Sequence, residues 1–566
     1  MTKLNGGYLT LKTDAVKSND FTNAHTAALD VPLKGAHLAA LNWIQKTRWA
    51  INADVLAVAN LCKDRGLSVP GFPAGEEIPL PEYPAHLEKT SEEFKRHIRE
   101  REKIHNENAR NAGMRLKLFA MLGMADELSD FPALWFPHYA DFRGRFYPRP
   151  QDLHTQGDSL VKGLLRFSEP VAITNLKGWY WIRVNTANYF GFDKATLEER
   201  QQWTIDHLEG ILAVANDPIE DHKAFEFWTQ ADSPWEFLAA CFEVKRICDY
   251  MMANRTADGF LSTMVCRYDA TCSGIQHLAA LMKDPLAAEQ VNVKPTGVRA
   301  DIYKKVAELV KQAIQLDLVN STTAEMAALW VGKVERATVK RAVMTTPYGV
   351  SERGILTQLI QDGFADHIEN GKERYAAAQY LTEKIVGALD DSIEAPRTAM
   401  GYFRQVAAHL EEKGLPLVWE TPSGFTAKQA YWKTGEKRID TLHGKVMIRF
   451  EEPQAGFKPG KQILGAAPNV VHSFDATHLA MVCVRMQEAG VRDLAFVHDS
   501  FGCHAEHSDL LLTETKNAFV ELYREDTLEQ WRQSVIRLTG VEDVPVIPAL
   551  GSLEVSAVFD SEFFFS

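Results

Sequence analysis

Two apolar runs, STMVCRYD at 262–269 and DLAFVHDSFGCHA at 493–505, each carry an aspartate where the run ends, and 230 residues separate Asp269 from Asp499. Their composition predicts strands, the second as strand, tight turn, strand with His498 and Asp499 at the bend. A polar pair at a hairpin tip faces whatever lies in front of the sheet, although an ordinary turn favours aspartate as well. If the two strands are neighbours, the fold must close a very long loop to place two carboxylates side by side.

The sequence between and around them reads mainly as helix. Residues 38–66 place apolar side chains at helical spacing, and a Pro-rich break follows at 70–84. TSEEF then offers a capping box from Thr90 to Glu93, opening a long charged helix to about Leu122. LWFPHYADFRGRFYPRPQD (134–152) is aromatic, arginine-rich and broken by proline, so it is not helical, and it could grip a phosphodiester chain. The segment 176–257 is Trp-rich with helical spacing, and helices dominate 296–420. KVMIRF (445–450) is a further strand.

At 566 residues and 46% hydrophobic content the chain is globular and built from several subdomains. Its seven cysteines form no CxxC pair, which points to neither a zinc site nor a disulfide framework. Residues 1–30 lack a signal-peptide core and no run of eighteen apolar residues occurs, so a soluble, cytosolic protein without membrane contact is expected. The net charge of -13 argues against a protein that coats nucleic acid indiscriminately, but not against an enzyme whose basic groups are confined to a cleft. Basic groups are instead concentrated: Lys95–Lys117 holds eight Lys/Arg against three Glu, and KVERATVKR at 333–341 is a second such run. Either could also be a solvated helix face.

Adjacent carboxylates at Asp269 and Asp499 could hold two Mg2+ ions about 3.5–4 Å apart, as an in-line phosphoryl displacement requires. Between them, in VERATVKRAVMTTPYGV (334–350), Arg336 and Lys340 share one helix face, with Met344 and Tyr348 one and two turns beyond. Two cations on one stripe suit a triphosphate, arginine forking two oxygens and lysine offering a compact charge. An aromatic at the far end can stack on a base or gate it.

Six collinear segments, WFPHYADFRGRFY, QGDSLVKGLLRF, YDATCSGIQH, KRAVMTTPYG, APNVVHSFDATH and VHDSFG, together resemble the single-subunit RNA polymerases of bacteriophages and their mitochondrial relatives. SEFFFS at the C-terminus is similar to the family's aromatic foot. The resemblance implies a helix-rich α+β fold, a right-hand polymerase with palm sheet, fingers and thumb. It implies Asp269 and Asp499 as metal-binding aspartates, with Ala270 giving a backbone carbonyl. Lys340 resembles the catalytic lysine, Arg336 its phosphate-binding companion, and Tyr348 with His472 the pair that checks the ribose 2′-hydroxyl, a group both donor and acceptor. Arg143, Arg145, Tyr147, Lys162, Arg341 and His498 are expected to contact nucleic acid. The competing reading of Arg143 and Arg145 is a pair of structural ion pairs with carboxylates such as Asp141.

A DNA polymerase of the same class would share the acids and the Arg/Lys helix, but resembles this chain less at two places. Such enzymes carry glutamate where this chain has Gly274, and commonly glutamate where it has Ser500. A side chain absent at Gly274 leaves room for a 2′-hydroxyl; close packing would explain the glycine too. A two-metal nuclease has no need of the Arg/Lys helix, and an inactive binding remnant has no need of every motif residue. The expected activity is therefore template-directed transfer of nucleoside monophosphate from NTP to an RNA 3′ end, transcribing viral genes in a bacterial host cytoplasm. DNA template, RNA product and NTPs are the expected partners of a monomer.

The implied organisation is a remnant of an N-terminal region at 1–37, thumb at 38–131, and palm at 132–170, 260–285 and 473–566. An insertion fills 171–259 and fingers 286–472. Residues 438–462 take the place of the promoter-reading hairpin, where Arg438, Lys445, Arg449 and Lys458 could meet DNA. Most of the family's N-terminal promoter-binding domain has no counterpart in this sequence, which leaves open a compact enzyme, a fragment or one piece of a split polymerase, the last needing a separate chain or factor for initiation.

Overall fold

The strand Val265–Asp269 pairs antiparallel with Ser500–His504, Asp269 opposite Ser500 and Cys266 opposite Cys503. Both faces of the pair are covered, with Val265 and His504 buried on one and Cys266, Tyr268, Phe501 and Cys503 on the other, while Asp269 emerges exposed at the strand's end. The computed structural model describes residues 15–17, 33–73, 75–85, 87–320, 322–442 and 444–565. Most of the segment 1–37 lies outside these.

Behind the strand pair runs the helix Ala466–Glu488, which is buried almost all round, as befits a core helix. It packs against Gly35–Ile44, Ser273–Leu281, Glu394–Glu412 and Ser508–Tyr523. Helices Ile302–Asn320, Arg336–Thr345, Glu352–Gln361 and Gly371–Ser392 form a second body of packing. The fold is thus helix-rich α+β. Among the described residues the strands form five two-stranded ribbons and one three-stranded sheet, and the ribbon of Val265–Asp269 with Ser500–His504 falls within the expected palm.

Three local expectations change. The helical spacing over 38–66 is interrupted by a buried strand, Trp49–Ile51, between helices Gly35–Ile44 and Ala53–Asp64. It pairs with Leu165–Phe167, and the Trp49 and Phe167 rings lie 5.2 Å apart, so distant pairing overrides local periodicity. The long helix is Glu92–Leu128, capped by Ser91, whose hydroxyl accepts from the Phe94 N–H at 3.1 Å, and not by Thr90. The run at 262–269 is two strands, because the Glu243 carboxylate accepts from the Ser262 hydroxyl (2.6 Å) and the Thr263 N–H (3.2 Å) and draws the chain out of the ladder.

The hairpin expected at 438–462 is Thr434–Thr441 with Gly444–Glu451. Of the four basic residues expected to meet DNA, Arg449 pairs with Glu436 (2.7 Å), Lys445 lies 3.9 Å from Asp440 and Lys458 donates to the Thr434 hydroxyl (2.8 Å), while Arg438 pairs with none of the described residues. All seven cysteines are free. No helix of the described residues is long and apolar enough to cross a membrane.

Buried histidines tie the pieces together. His37 donates through Nε2 to the Gly144 carbonyl (2.9 Å) and accepts the Ser423 hydroxyl at Nδ1 (2.6 Å), while His478 bonds the Thr515 carbonyl (2.9 Å) and His138 the Phe136 carbonyl (2.7 Å). Burial lowers all three to about 4 from 6.5. A base depressed on folding stabilises fully above its unfolded value and loses that contribution as pH falls toward its folded value. Each should therefore cost roughly 2 kcal/mol of stability by pH 5. Urea midpoints are expected to drop steadily from pH 7 to 5; a flat profile would contradict this reading.

Candidate active site

Pairing of the two strands closes the 230-residue gap: the Ala270 N–H donates to the Asp499 carbonyl at 3.1 Å. The turn before it is shut by reciprocal Val497–Ser500 backbone bonds of 2.8 Å each, with His498 at a left-handed φ of +53°. That conformation costs a non-glycine residue on the order of 1 kcal/mol, so the hairpin contacts hold Asp499 at a strained tip. Burial raises the Asp499 carboxyl; Arg145 opposes the rise and Asp269 adds to it.

Two nearby carboxylates and the Ala270 carbonyl make an oxygen-only donor set that suits a hard divalent cation, and a cation would relieve the repulsion between the acids. No cluster of three His, Cys, Asp or Glu side chains occurs among the described residues, so backbone or water oxygens must complete any such site.

Facing the acids, the helix Arg336–Thr345 ends in a turn that carries Tyr348. The Tyr348 and His472 rings stack at 4.5 Å with 30° between planes. Burial pushes the Tyr348 hydroxyl up and, joined by Arg145, Arg143 and His498, pushes His472 well below the ordinary histidine range. Ser273 lies beside both Asp499 and Tyr348, and its buried hydroxyl oxygen meets no partner in hydrogen-bonding position.

Gly274 is not the open hole that its missing side chain suggests. A Cβ there would stand 2.8 Å from Pro347 Cβ and 3.4 Å from Tyr348 Cζ. The glycine lets the helix Ser273–Leu281 approach the Pro347–Tyr348 turn.

The cations divide into free and engaged. Lys340 is exposed and makes no ion pair among the described residues. Arg336 is held by Asp301 (2.7 Å) and lies 4.8 Å over the Tyr303 ring. Arg341 pairs with Asp362 at 2.5 Å on the neighbouring helix Glu352–Gln361 and its C-cap. Lys162 lines a cavity of about 40 Å³ with Glu236 and Arg267, whose side chains pair at 3.3 Å.

Arg143 and Arg145, expected to grip nucleic acid, spend their guanidinium groups within the protein. Arg143 forks Asp141 (2.8 and 2.6 Å) and reaches His472 (2.7 Å); Arg145 is paired with buried Asp475. Tyr147 accepts from Arg143 (3.2 Å), and its ring meets His498 edge-on at 4.9 Å. Asp475, Asp301 and Ser273 were not singled out in the sequence. Asp475 had one available signal, its position three residues after His472 on the same helix.

A family model described as DNA-dependent RNA polymerase matches residues 173–541, and the chain belongs to that family. It is 31% identical to DNA-directed RNA polymerase 2, chloroplastic/mitochondrial, of Arabidopsis thaliana, over 99% of this chain and 55% of that protein. It is 30% identical to the DNA-directed RNA polymerase of Enterobacteria phage T3 and 29% identical to T7 RNA polymerase of Escherichia phage T7, each over 93% of this chain and 64% of the relative. The chain thus spans between about half and two thirds of the length of these relatives.

Proposed function

We propose that the chain is a DNA-directed RNA polymerase that adds nucleoside monophosphate from NTP to the 3′ end of RNA on a DNA template, as a monomer. The observation that carries this is the Val265–Asp269 and Ser500–His504 pairing, which sets Asp269 and Asp499 together before the Tyr348–His472 stack. Resemblance to the phage enzymes supports viral transcription in a host cytoplasm as its setting.

Asp269, Asp499 and the Ala270 carbonyl would hold two Mg2+ ions, which when bound supply charge neutralisation at the attacking and leaving oxygens. The protein's own groups do the rest. Lys340, exposed and unpaired, is available to the triphosphate and to donate a proton to the departing pyrophosphate. Arg336 joins it by exchanging Asp301 for phosphate oxygens, and Tyr348 with His472 meets the ribose. In this reading 38–131 acts as thumb, 132–170, 260–285 and 473–566 as palm, and 286–472 as fingers around the insertion 171–259. Nucleic-acid contacts by Arg143, Arg145, Tyr147, Lys162, Arg341 and His498 belong to the same proposal, with Arg143 and Arg145 acting from within their ion pairs.

The test is extension of an RNA primer on a DNA template, beside run-off from a promoter-bearing duplex. Preference for deoxynucleotides would instead make this a DNA polymerase, and metal-dependent degradation without nucleotides a nuclease. In the same assay Gly274→Glu should lower ribonucleotide addition at least tenfold, since a clash with Pro347 displaces Tyr348; undiminished ribonucleotide use refutes that assignment.

A further inference from the structure

Asp141, Arg143 and His472 form a hydrogen-bonded chain from the DFRGR turn to the stacked pair. Asp141 accepts from the Arg143 backbone N–H (2.9 Å), from Nε (2.8 Å) and from one terminal nitrogen (2.6 Å), which also donates to the Tyr147 hydroxyl (3.2 Å). The other terminal nitrogen points to His472 Nδ1 at 2.7 Å. A guanidinium has five donors and no acceptor, so Nδ1 must be the lone-pair nitrogen in this contact. The neutral ring then carries its proton on Nε2, which bonds no described residue.

We propose that Arg143 is a specificity-positioning residue that fixes His472 as an Nε2–H donor, so that the ring offers a hydrogen bond which the 2′-hydroxyl of a ribonucleotide accepts. A deoxynucleotide leaves that donor unpaired in a half-buried site, where an unmet polar group is costly. The inference rests on the polymerase reading and adds to it which nitrogen is presented and what sets it. Without Arg143 either tautomer satisfies a neutral imidazole, and the donor toward the sugar is present only part of the time.

The surroundings keep the ring uncharged. Arg143 and Arg145 face it from the turn and His498 from the hairpin tip, and the Tyr348 ring covers one side. Asp475, on the helix that carries His472, is paired with Arg145. All the cations near the ring oppose a second proton. Selection of ribose over deoxyribose should therefore be constant from pH 8 down to pH 6.

The experiment measures kcat/KM for ribonucleotide and deoxyribonucleotide in primed extension, at pH 6 to 8. Arg143→Ala is expected to reduce the ribose preference about tenfold, the scale of one neutral hydrogen bond, and to make it pH-dependent. Arg143→Lys, which keeps a donor, should recover part of it. In a His472→Ala background Arg143→Ala should change the preference less than twofold. An unchanged preference in Arg143→Ala, or the same tenfold fall without His472, overturns the proposal, the latter showing that Arg143 acts on the ribose by itself and not through His472. If the unaltered protein extends no primer, the polymerase reading fails first. The tautomer is then read by nitrogen-15 NMR of His472, where Nε2–H supports the proposal and Nδ1–H overturns it.

Discussion

Asp499→Asn lowers primed nucleotide addition by at least about a thousandfold while template binding changes only a few-fold. The amide matches the carboxylate in size, so the strained turn at His498 and the Val497–Ser500 bonds survive, and the Ala270 N–H still finds the backbone carbonyl of residue 499. What disappears is one of two charges in an oxygen-donor site. A divalent cation loses more from a missing anionic ligand than from a small displacement of one, because dehydrating it must be compensated by charge. Binding to template is expected to rest on the proposed nucleic-acid contacts such as Lys162 and Arg341, and these are untouched. Extension assays with a filter-binding control make the comparison. Retained synthesis would remove Asp499 from the metal site, whereas lost synthesis with lost binding would point to misfolding.

How far the sequence reveals this site depends on whether a feature is local or shared between distant segments. The strand ends at Asp269 and Asp499 were legible because apolar alternation and turn chemistry are local properties. The Arg336–Lys340 stripe was legible from helical spacing alone. That Trp49–Ile51 would leave a helical pattern was not, since the cause is a partner strand at Leu165–Phe167. Gly274 is the mixed case: its lack of a side chain is plain in the sequence, but what fills the space, Pro347 and Tyr348, is 73 and 74 residues away in the chain. The same limit applies to the arginines of DFRGRFY. Their number and setting suggested phosphate contacts, and an ion pair with nearby Asp141 was the visible competitor. Asp475 lies 330 residues from Arg145, and its one signal, a place three residues after His472, says nothing of an arginine partner. The roles of Tyr348 and His472 came from family resemblance, and the structure contributes their stacking.

Arg145→Met should destabilise the fold by about 3–5 kcal/mol at neutral pH, with most of that recovered in Arg145→Met with Asp475→Asn. Arg145 Nε donates to Asp475 at 3.1 Å and a terminal nitrogen closes the fork, while only 13% of the arginine and 2% of the aspartate side chain is exposed. Burial already raises Asp475 to about 6, with Arg145 holding it down. Methionine fills a similar volume but leaves that carboxylate unpaired, so its folded value climbs further. A carboxyl raised on folding stabilises below its unfolded value and loses that contribution as pH rises through the folded one. The Arg145→Met protein should therefore regain stability on mild acidification from pH 8 toward 6, opposite in sign to the trend set by His37, His138 and His478. Asparagine carries no charge to bury, which is why the double variant should recover and lose this pH dependence. Denaturant unfolding of the three proteins at two pH values decides it. Equal stability of Arg145→Met and the unaltered chain would mean that the pair is structurally neutral, and that Arg145 is kept for its charge beside Asp499, Tyr348 and His472.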